Sequence, residues 1–274
     1  LALGAQELAG DAAPWGGLPS PAFAIAERSG DVTAKIFELW GRRPDTETFL
    51  LSRTAAVPAS TDWWERTPHE WETVFGADRV DLLEAEIHEL IAWLEHRTGR
   101  RLELDRLAEV MALANEQAAW NRRTRDLIAA ARPAPVAVTD SIPSVMIPQW
   151  HRGTAWAVDA AQRLHDEVAE RIDGGLAVAP DERRRLMWIG RGLWSDLEMY
   201  RSFQDEFGAV FVWSMYLAIA ADGYARYGDD PVRTLAGRFV GLTDLLYVPP
   251  MSSSWYAKEA LAHGVDGVVH LVAD

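Results

Sequence analysis

The sequence predicts an α/β protein with a shortened N-terminal α/β lobe, a helical middle region and an open parallel-sheet, Rossmann-like C-terminal unit. Two observations carry this prediction. Residues 79–131 repeat apolar positions at helical spacing, whereas the C-terminal third contains short continuous apolar runs separated by helix caps. Such runs are typical of strands buried on both faces of a parallel sheet. We place the three parts at residues 1–78, 79–180 and 181–274.

The spacing of apolar residues is least regular in the N-terminal part. The sequence there predicts loop and short irregular helix over 1–30, a helix over 31–40, a strand over 48–51 and a loop over 53–61. Thr67, Pro68 and Glu70 form a capping box with proline at the first helical position. This box predicts a short helix with Trp71 and Val74 directed inward.

Three helices are predicted in the middle region, over 79–97, 104–131 and 153–173. Leu83 and Ile87 share one face of the first helix, and Gly99 ends it. We expect the first two helices to form a long antiparallel hairpin. Pro143 and Pro148 are expected to break the segment that follows.

Four strands are predicted in the C-terminal unit, over 186–189, 209–213, 244–248 and 267–272. The helices between them are predicted to begin at a capping box from Ser195 to Glu198, at Asp230-Pro231 and at Ser254. This β-α-β order indicates a parallel sheet with right-handed crossovers.

Composition excludes several classes of protein. The 274 residues contain 27 Lys and Arg against 41 Asp and Glu, which gives a formal charge of −14. This acidic balance argues against a nucleic-acid-binding protein and against a protein that binds membrane surfaces through a polybasic segment. No apolar run reaches the roughly 18–20 residues that span a bilayer. The first residues contain no basic n-region and no Met, which predicts a trimmed chain without a signal peptide.

Cysteine is absent from the sequence. This chain therefore has no disulfide, no thiolate zinc site, no cysteine nucleophile and no cysteine-ligated iron–sulfur cluster. Without disulfides, a cytoplasmic location is expected. Tryptophan is abundant, with 13 residues. It favours large core and interface side chains, and an aromatic-walled pocket is the alternative.

Ligands of open parallel sheets bind beyond the carboxyl ends of the strands. This rule predicts a substrate site, although the sequence identifies no catalytic residue and no set of metal ligands. The predicted substrate-binding residues are Gly190, Arg191, Gly192, Trp194, Ser195, Trp213, Ser214, Tyr216, Met251, Ser252, Ser253 and Ser254.

The paired glycines Gly190 and Gly192 follow a predicted strand and precede a helix, an arrangement that lets a backbone approach a phosphate. A phosphate or acyl-CoA contact, a plain tight turn and a nicotinamide site are the alternatives. The last is disfavoured because the third glycine of the fingerprint is replaced by Ser195. Gly192→Val is expected to weaken binding and to leave folding largely intact.

The serines at 252–254 precede a predicted helix, so they are suited either to binding a polar group or to capping. The sequence contains no G-x-S-x-G motif, which argues against a serine hydrolase. We interpret the arginines at 183–185 as a solvated turn, and a contact with CoA phosphates is the alternative. Two sets of side chains have part of a metal-ligand spacing: Glu84 with His88, and His165 with Asp166 and Glu170. For both sets we favour the interpretation that they are charge-paired, solvated helix faces.

The order of these segments resembles the family of 2-hydroxyacyl-CoA dehydratase and benzoyl-CoA reductase subunits. The likeness lies in residues 80–131 and 186–274, including GAVFVWSMY, DPVRTLAGR and AHGVDGVVHLV, and in the Trp-containing helix start Asp62-Trp63-Trp64-Glu65. The resemblance implies two α/β lobes flanking a helical region, paired subunits, a [4Fe-4S] cluster held by cysteine thiolates between the lobes, and a separate ATP-hydrolysing activator.

The sequence departs from this family at the cluster ligands. The early cysteines of the family would fall near residues 53–60, where Arg-Thr-Ala-Ala-Val-Pro-Ala-Ser stands. We therefore expect a cluster-free member that forms a heterodimer or larger hetero-oligomer with a homologous subunit, which alone would carry a [4Fe-4S] cluster. The expected ligand is an acyl-CoA or related carboxylic substrate. A member repurposed for non-redox chemistry in a specialised biosynthetic pathway and a non-catalytic scaffold subunit are the alternatives.

Overall fold

The computed structural model describes residues 21–28, 30–44, 46–54 and 60–271. The N-terminal lobe comprises β1 (Phe23–Glu27), α1 (Asp31–Gly41) and β2 (Glu47–Leu51). The helical region comprises α2 (Trp63–Phe75), α3 (Ala77–Thr98), α4 (Leu104–Ala130), α5 (Val138–Trp150) and α6 (Ala155–Asp173). The C-terminal unit comprises β3 (Arg184–Ile189), α7 (Glu198–Phe207), β4 (Ala209–Ser214), α8 (Met215–Asp222), α9 (Pro231–Phe239), α10 (Leu242–Tyr247), α11 (Met251–His263) and β5 (Gly267–His270).

Both lobes contain a small parallel sheet. Strands β1 and β2 pair in parallel, with Phe23 opposite Glu47. In the C-terminal unit the strand order is β4-β3-β5, again all parallel. Every residue of β4 is buried, as its continuous apolar sequence predicts, whereas β5 alternates between half-buried and exposed residues. The mixed α/β class and the helical middle region are confirmed.

Tryptophan forms much of the core. The rings of Trp63 and Trp255 are fully buried with their centroids 5.5 Å apart. Both indole N–H groups have an acceptor: Trp63 Nε1 donates to the Met251 carbonyl at 3.2 Å, and Trp255 Nε1 donates to Asp222 Oδ2 at 2.9 Å. The indole of Trp71 likewise donates to the Tyr227 carbonyl at 3.0 Å. These bonds let large aromatic side chains be buried without an unpaired donor.

Several helix ends follow the sequence. Gly99 ends α3 in the left-handed conformation, at φ 66°. The Asp230 side chain caps α9 by accepting from the backbone N–H groups of Val232 and Arg233. The hydroxyl of Thr154 caps α6 by accepting from Ala157 N at 3.2 Å.

The N-terminal predictions need two corrections. Strand β1 lies in a segment predicted as loop, because FAIAE has only one β-branched residue, Ile25, between two alanines. Residues 1–20 and 29 of that predicted segment lie outside the described residues. Helix α2 begins at Trp63, after Asp62, rather than at the predicted capping box. Pro68 is accommodated inside the helix by a kink at Glu70, where φ is −110°.

The middle region differs from the prediction in two respects. Helix α5 contains both prolines that were expected to break it, because burial of Ile142 and Val145 outweighs the lost backbone bonds. The expected α3–α4 hairpin is not a packed pair. Helix α3 packs mainly against α9, whereas α4 packs mainly against α6 and α8.

The strand predicted at 244–248 is helix α10, so the described C-terminal sheet has three strands. A short apolar run does not distinguish a strand from a buried helix. Here the left-handed Gly241, at φ 76°, starts the helix. None of the helices in the described part of the chain has the length and apolar composition needed to cross a membrane.

Two predicted helix starts are also wrong. Helix α11 begins at Met251, directly after the N-cap Pro250, so the three serines lie inside its first turn. Helix α7 begins at Glu198, and Asp196 rather than Ser195 accepts the bond from Met199 N, at 3.3 Å.

Candidate functional site

A cleft of about 890 Å³ lies between the two lobes, where the carboxyl ends of strands from both sheets meet. The N-terminal lobe contributes the first turn of α1, and the C-terminal unit contributes the segments after β3 and β5 together with α10 and α11. The residues that line it are Gly30, Asp31, Val32, Thr33, Ile189, Gly190, Arg191, Leu246, Tyr247, Ser252, Tyr256, His270 and Leu271.

Three of the predicted binding residues line this cleft: Gly190, Arg191 and Ser252. Gly190 has a φ of 120°, and a Cβ there would lie 2.9 Å from the Leu271 carbonyl oxygen. Glycine is therefore required where the chain leaves β3 beside the end of β5. Arg191 is exposed, whereas Ser252 is buried.

Tyr256 was not predicted from the sequence, although it lies one helical turn after Ser252 on α11. Its hydroxyl donates to the Leu246 carbonyl at 3.1 Å. Burial, together with the weaker effect of Tyr247, raises the pKa of this phenol to about 12. The hydroxyl is therefore protonated at neutral pH, and its one O–H is committed to the Leu246 carbonyl.

A second group of predicted residues forms an aromatic cluster elsewhere. The Tyr216 hydroxyl accepts from Gly192 N at 2.9 Å and from Trp194 Nε1 at 3.0 Å, and the Trp194 ring lies 6.2 Å from that of Trp150. Ser195 is exposed nearby. A Cβ at Gly192 would lie 2.9 Å from Tyr216 Cε2. A valine at Gly192 would therefore require this ring to move, and the expectation that Gly192→Val leaves folding largely intact stays a prediction.

The remaining predicted residues lie away from the cleft. Trp213 and Ser214 are buried in β4, and Trp213 Nε1 donates to Glu259 Oε2 at 2.7 Å. Met251 is buried, and its carbonyl accepts the hydrogen bond from Trp63 Nε1. On the first turn of α11, Ser253 is exposed and Ser254 is half-buried, and the Ser253 hydroxyl donates to the Pro250 carbonyl at 3.2 Å.

A buried ion network that the sequence did not predict connects α4, α8 and α11. Arg125 Nη1 lies 2.7 Å from Asp222 Oδ2 and 2.9 Å from Glu259 Oε1. Lys258 Nζ lies 3.1 Å from the same Asp222 oxygen, and Trp255 Nε1 donates to it at 2.9 Å. The two carboxylates raise the pKa of Arg125 against the opposing effect of burial. The network is thus balanced in charge inside the protein.

The arginines at 183–185 do not form a uniformly solvated turn. Arg183 and Arg184 are exposed, but Arg185 is buried. Its guanidinium donates to the His263 carbonyl at 2.7 Å and to Glu182 Oε1 at 2.7 Å. Arg185 is committed to these internal bonds, so the predicted contact with CoA phosphates does not extend to it.

A second cavity, of about 240 Å³, lies beyond the carboxyl ends of β1 and β2. Four polar or charged side chains meet at one end of it: Glu27, Arg53, Arg79 and Asp244. Arg79 Nη2 donates to Asp244 Oδ2 at 2.8 Å, and Arg53 Nη2 donates to Asp244 Oδ1 at 3.1 Å. Burial raises the pKa of Glu27, Arg53 lowers it, and Asp244 raises it.

The partial metal-ligand sets do not assemble. No group of three or more His, Cys, Asp or Glu side chains among the described residues could hold a metal ion. Glu84 pairs with Arg233, and His88 is exposed. His165 Nδ1 lies 2.9 Å from Asp166 Oδ1. Glu84 and His165 are thus charge-paired, as the sequence favoured.

Comparison with known proteins identifies the family. A family model described as 2-hydroxyglutaryl-CoA dehydratase, D-component, matches residues 2–273. The chain belongs to this family. It is also 26% identical over 151 residues to the (R)-phenyllactyl-CoA dehydratase alpha subunit of Clostridium sporogenes. That alignment covers 54% of this chain and 37% of the relative, so the match spans little more than a third of the relative's length.

The [4Fe-4S] cluster implied by the resemblance does not fit the side chains of this chain. Its 274 residues contain no cysteine. After β2, where the resemblance places early ligands, Arg53 stands and is hydrogen-bonded to Asp244. A guanidinium has no lone pair to offer a metal and repels a cation. The chain therefore presents an ion-paired polar wall at this position instead of thiolates.

Proposed function

We propose that the chain is a cluster-free subunit of a 2-hydroxyacyl-CoA dehydratase or benzoyl-CoA reductase-like hetero-oligomer, and that its cleft between the lobes binds an acyl-CoA or related carboxylic substrate. The observation that carries this proposal is the cleft itself. Its volume of about 890 Å³ lies within the roughly 300–1,000 Å³ typical of small-molecule sites, and it lies at the carboxyl ends of parallel strands.

The lining suits the two ends of such a ligand. Arg191 supplies a cation for a phosphate group, although the whole chain carries a formal charge of −14. The hydroxyl group of Ser252 supplies a hydrogen-bond donor for a carbonyl group, and Leu246 supplies apolar surface. In a non-catalytic scaffold subunit we would expect side chains to fill this cleft. The open cleft supports ligand binding instead.

Isothermal titration of the purified full chain with CoA, a short-chain 2-hydroxyacyl-CoA and the matching free hydroxy acid tests this proposal. We expect the thioester to bind, and Arg191→Ala to weaken its binding about tenfold. Arg201→Ala is the matched control, since Arg201 is an exposed arginine of α7 that pairs with Glu198. Equal loss in both variants, or no binding by the folded chain, would contradict the proposal.

The partner in this proposal is a homologous subunit. Trp150, Trp156 and Trp194 are 66%, 52% and 44% exposed, and Trp150 and Trp194 are in ring contact. Exposed aromatic side chains are enriched in protein interfaces. The relative described above is itself an alpha subunit. In this arrangement the partner holds any [4Fe-4S] cluster, and an ATP-dependent activator serves the assembly.

Sedimentation of the chain with and without a co-expressed homologous subunit tests the partner proposal. We expect a hetero-oligomer that Trp150→Ser and Trp156→Ser weaken together, with iron present only when the partner is present. The exposed Leu261→Ser, on α11, is the control for loss of an apolar surface side chain. A stable monomer that ignores every homologous partner would contradict the proposal.

A further inference from the structure

We propose that three arginines beside α4 and α9 bind a tetrahedral oxyanion of the phosphate or sulfate class, at a site separate from the cleft between the lobes. They are Arg152, which follows α5, Arg226, in the segment between α8 and α9, and Arg238, in the last turn of α9. The chain has 41 acidic residues, yet none of those that the structure describes forms an ion pair with these guanidinium groups. The proposal holds or fails independently of thioester binding in the cleft.

Arg226 is completely buried and is bonded to neutral groups. Its Nε donates to the Gly237 carbonyl at 2.9 Å and its Nη1 donates to the Ala225 carbonyl at 2.6 Å. Its Nη2 is buried and has no partner in the described part of the chain. Its Cζ lies 5.3 Å from the centroid of the Phe75 ring. Carbonyl groups and a ring face carry no net charge, so the positive charge of Arg226 is left unbalanced in the interior.

Arg238 carries a second unbalanced charge and also reaches the surface, since 8% of this residue is exposed. Its Nη2 donates to Asn115 Oδ1 at 2.7 Å, and the same oxygen accepts from the backbone N–H of Arg226 at 3.1 Å. Its Nε is buried without a partner, and its Nη1 contacts solvent and has no bond to any residue that the structure describes. Asn115 thus holds the two arginines side by side and supplies no charge to either.

Both buried guanidinium groups are charged at neutral pH. Burial, together with the weaker effect of the Arg238 charge, lowers the pKa of Arg226 to about 9. Burial, together with the charge of Arg152, lowers the pKa of Arg238 to about 10 against the opposing effect of the Tyr224 and Tyr227 phenols. Both pKa values lie above neutral pH, and a bound anion would raise them again because it favours the charged form.

The outer side of Arg238 supplies further donors for an oxyanion. Arg152 and Tyr227 lie close enough to influence the charge of Arg238. Arg152 is exposed, and its Cζ lies 4.6 Å from the centroid of the Tyr224 ring. Tyr227 is half-exposed, and its hydroxyl has no partner among the residues described. Guanidinium and hydroxyl donors on several sides suit a tetrahedral oxyanion, which accepts many hydrogen bonds.

Two carboxylates lie near the cluster without compensating it. Glu116 and Asp229 line a neighbouring pocket of about 350 Å³, to which Arg226 also belongs. Both are exposed, and neither is among the charges that shift the pKa of Arg226 or Arg238. The two buried guanidinium groups therefore keep two positive charges, which a dianion balances and a monoanion such as acetate balances only in part.

Thermal unfolding of the full chain in sodium phosphate, acetate and chloride of equal ionic strength tests the proposal. An anion that binds only the folded state stabilises it by mass action. At about 10 mM anion we expect phosphate to raise the melting midpoint by about 3 °C above its value in chloride. Acetate is expected to raise it by less. Equal midpoints in phosphate and chloride would overturn the proposal.

Variants locate the anion by isothermal titration with phosphate. Arg152→Gln changes an exposed member of the cluster and is expected to lower the phosphate affinity about tenfold. Arg123→Gln is the matched control, because Arg123 is also exposed and its Cζ lies 4.4 Å from the centroid of the Trp120 ring; the affinity should not change. If the affinity falls in Arg191→Gln and not in Arg152→Gln, the phosphate binds in the cleft and the proposal is overturned.

Side-chain NMR of the wild-type chain provides a readout that needs no variant. Phosphate is expected to shift the Nε–H resonances of Arg226 and Arg238, and shifts confined to Arg191 would overturn the proposal. Adding AMP to the phosphate-bound sample distinguishes two sources of the same chemistry. Displacement of phosphate by AMP supports a phosphate group on an organic ligand, whereas no displacement supports the free anion. A CoA thioester titration reports the cleft separately, so failure of the proposed function and failure of this inference are distinguishable.

Discussion

The substitution Arg125→Met removes the cation at the centre of the buried network while preserving an unbranched apolar side chain. Arg125 Nη1 contacts one oxygen each of Asp222 and Glu259, and both carboxylates are almost completely buried. After the substitution, Lys258 remains 3.1 Å from Asp222 Oδ2, and Arg122 remains 3.6 Å from Asp222 Oδ1. The two carboxylates would then lose the buried guanidinium that they share and depend on two partly exposed cations.

Breaking a buried ion pair by removing one partner costs about 3–5 kcal/mol, because the other charge is left uncompensated. Lys258 and the indole donors to the two carboxylates persist, so we expect a loss near 3 kcal/mol. At about 2–4 °C for each kcal/mol in chains of comparable size, the melting midpoint should fall by at least about 6 °C. The expected loss is large against a typical folding stability of about 5–15 kcal/mol.

Urea unfolding followed by tryptophan fluorescence measures this loss, because Trp213 and Trp255 both contact the network. Arg163→Met is the matched control: Arg163 is 78% exposed and pairs with Asp159 on the surface of α6, so we expect a change within about 0.5 kcal/mol. Adding Glu259→Gln to Arg125→Met should recover part of the loss. A loss below about 1 kcal/mol in the single variant would refute the reasoning.

Three further outcomes are expected. Gly237→Ala should destabilise the chain by about 1–3 kcal/mol through overpacking, despite the better helix propensity of alanine, because its Cβ would lie 2.8 Å from Trp71 Cδ2; unchanged urea unfolding would contradict this. Burial lowers the pKa of His263, so the unfolding free energy should decrease as pH falls below about 6.5, where the unfolded chain binds a proton more readily. The unfolding free energy of His263→Gln should therefore depend less on pH between 7 and 5 than that of the wild-type chain. An identical pH dependence in the two proteins would contradict the assignment. Tyr216→Phe removes the acceptor for Gly192 N and should cost about 1–2 kcal/mol by thermal unfolding, with no loss counting against the bond.

Local patterns predicted most of the elements. Apolar periodicity located α3 and α4, and continuous apolar runs located β3, β4 and β5, since each pattern is fixed by residues adjacent in sequence. The α10 segment has the same kind of run, yet it is helical. Its Asp244 bonds Arg79, 165 positions earlier in the chain, and local propensity does not report such a contact.

The lining of the cleft was predicted in part because the carboxyl-end rule identifies an edge of the sheet but not the order of the strands along it. Strand β3 is central and β5 lies beside it, so Gly190 and Arg191 reach the cleft. Strand β4 lies on the opposite side of β3, so Trp213 and Ser214 are buried away from the cleft, and Trp213 Nε1 donates to Glu259 of the interior network instead. The α1 residues of the cleft come from the other lobe, a juxtaposition that no local pattern reports.

Helix α10 contributes to both cavities. Asp244, in its first turn, pairs with Arg53 and Arg79 in the wall of the smaller cavity, whereas Leu246 and Tyr247 line the larger cleft. A six-residue helix has few internal bonds, so its position depends on these side-chain contacts. Removing the Asp244 carboxylate would therefore take one bonding partner from each guanidinium group and would release the same helix that shapes the cleft. The ion pairs of Asp244 in the wall of the smaller cavity thus also help to position one side of the cleft between the lobes.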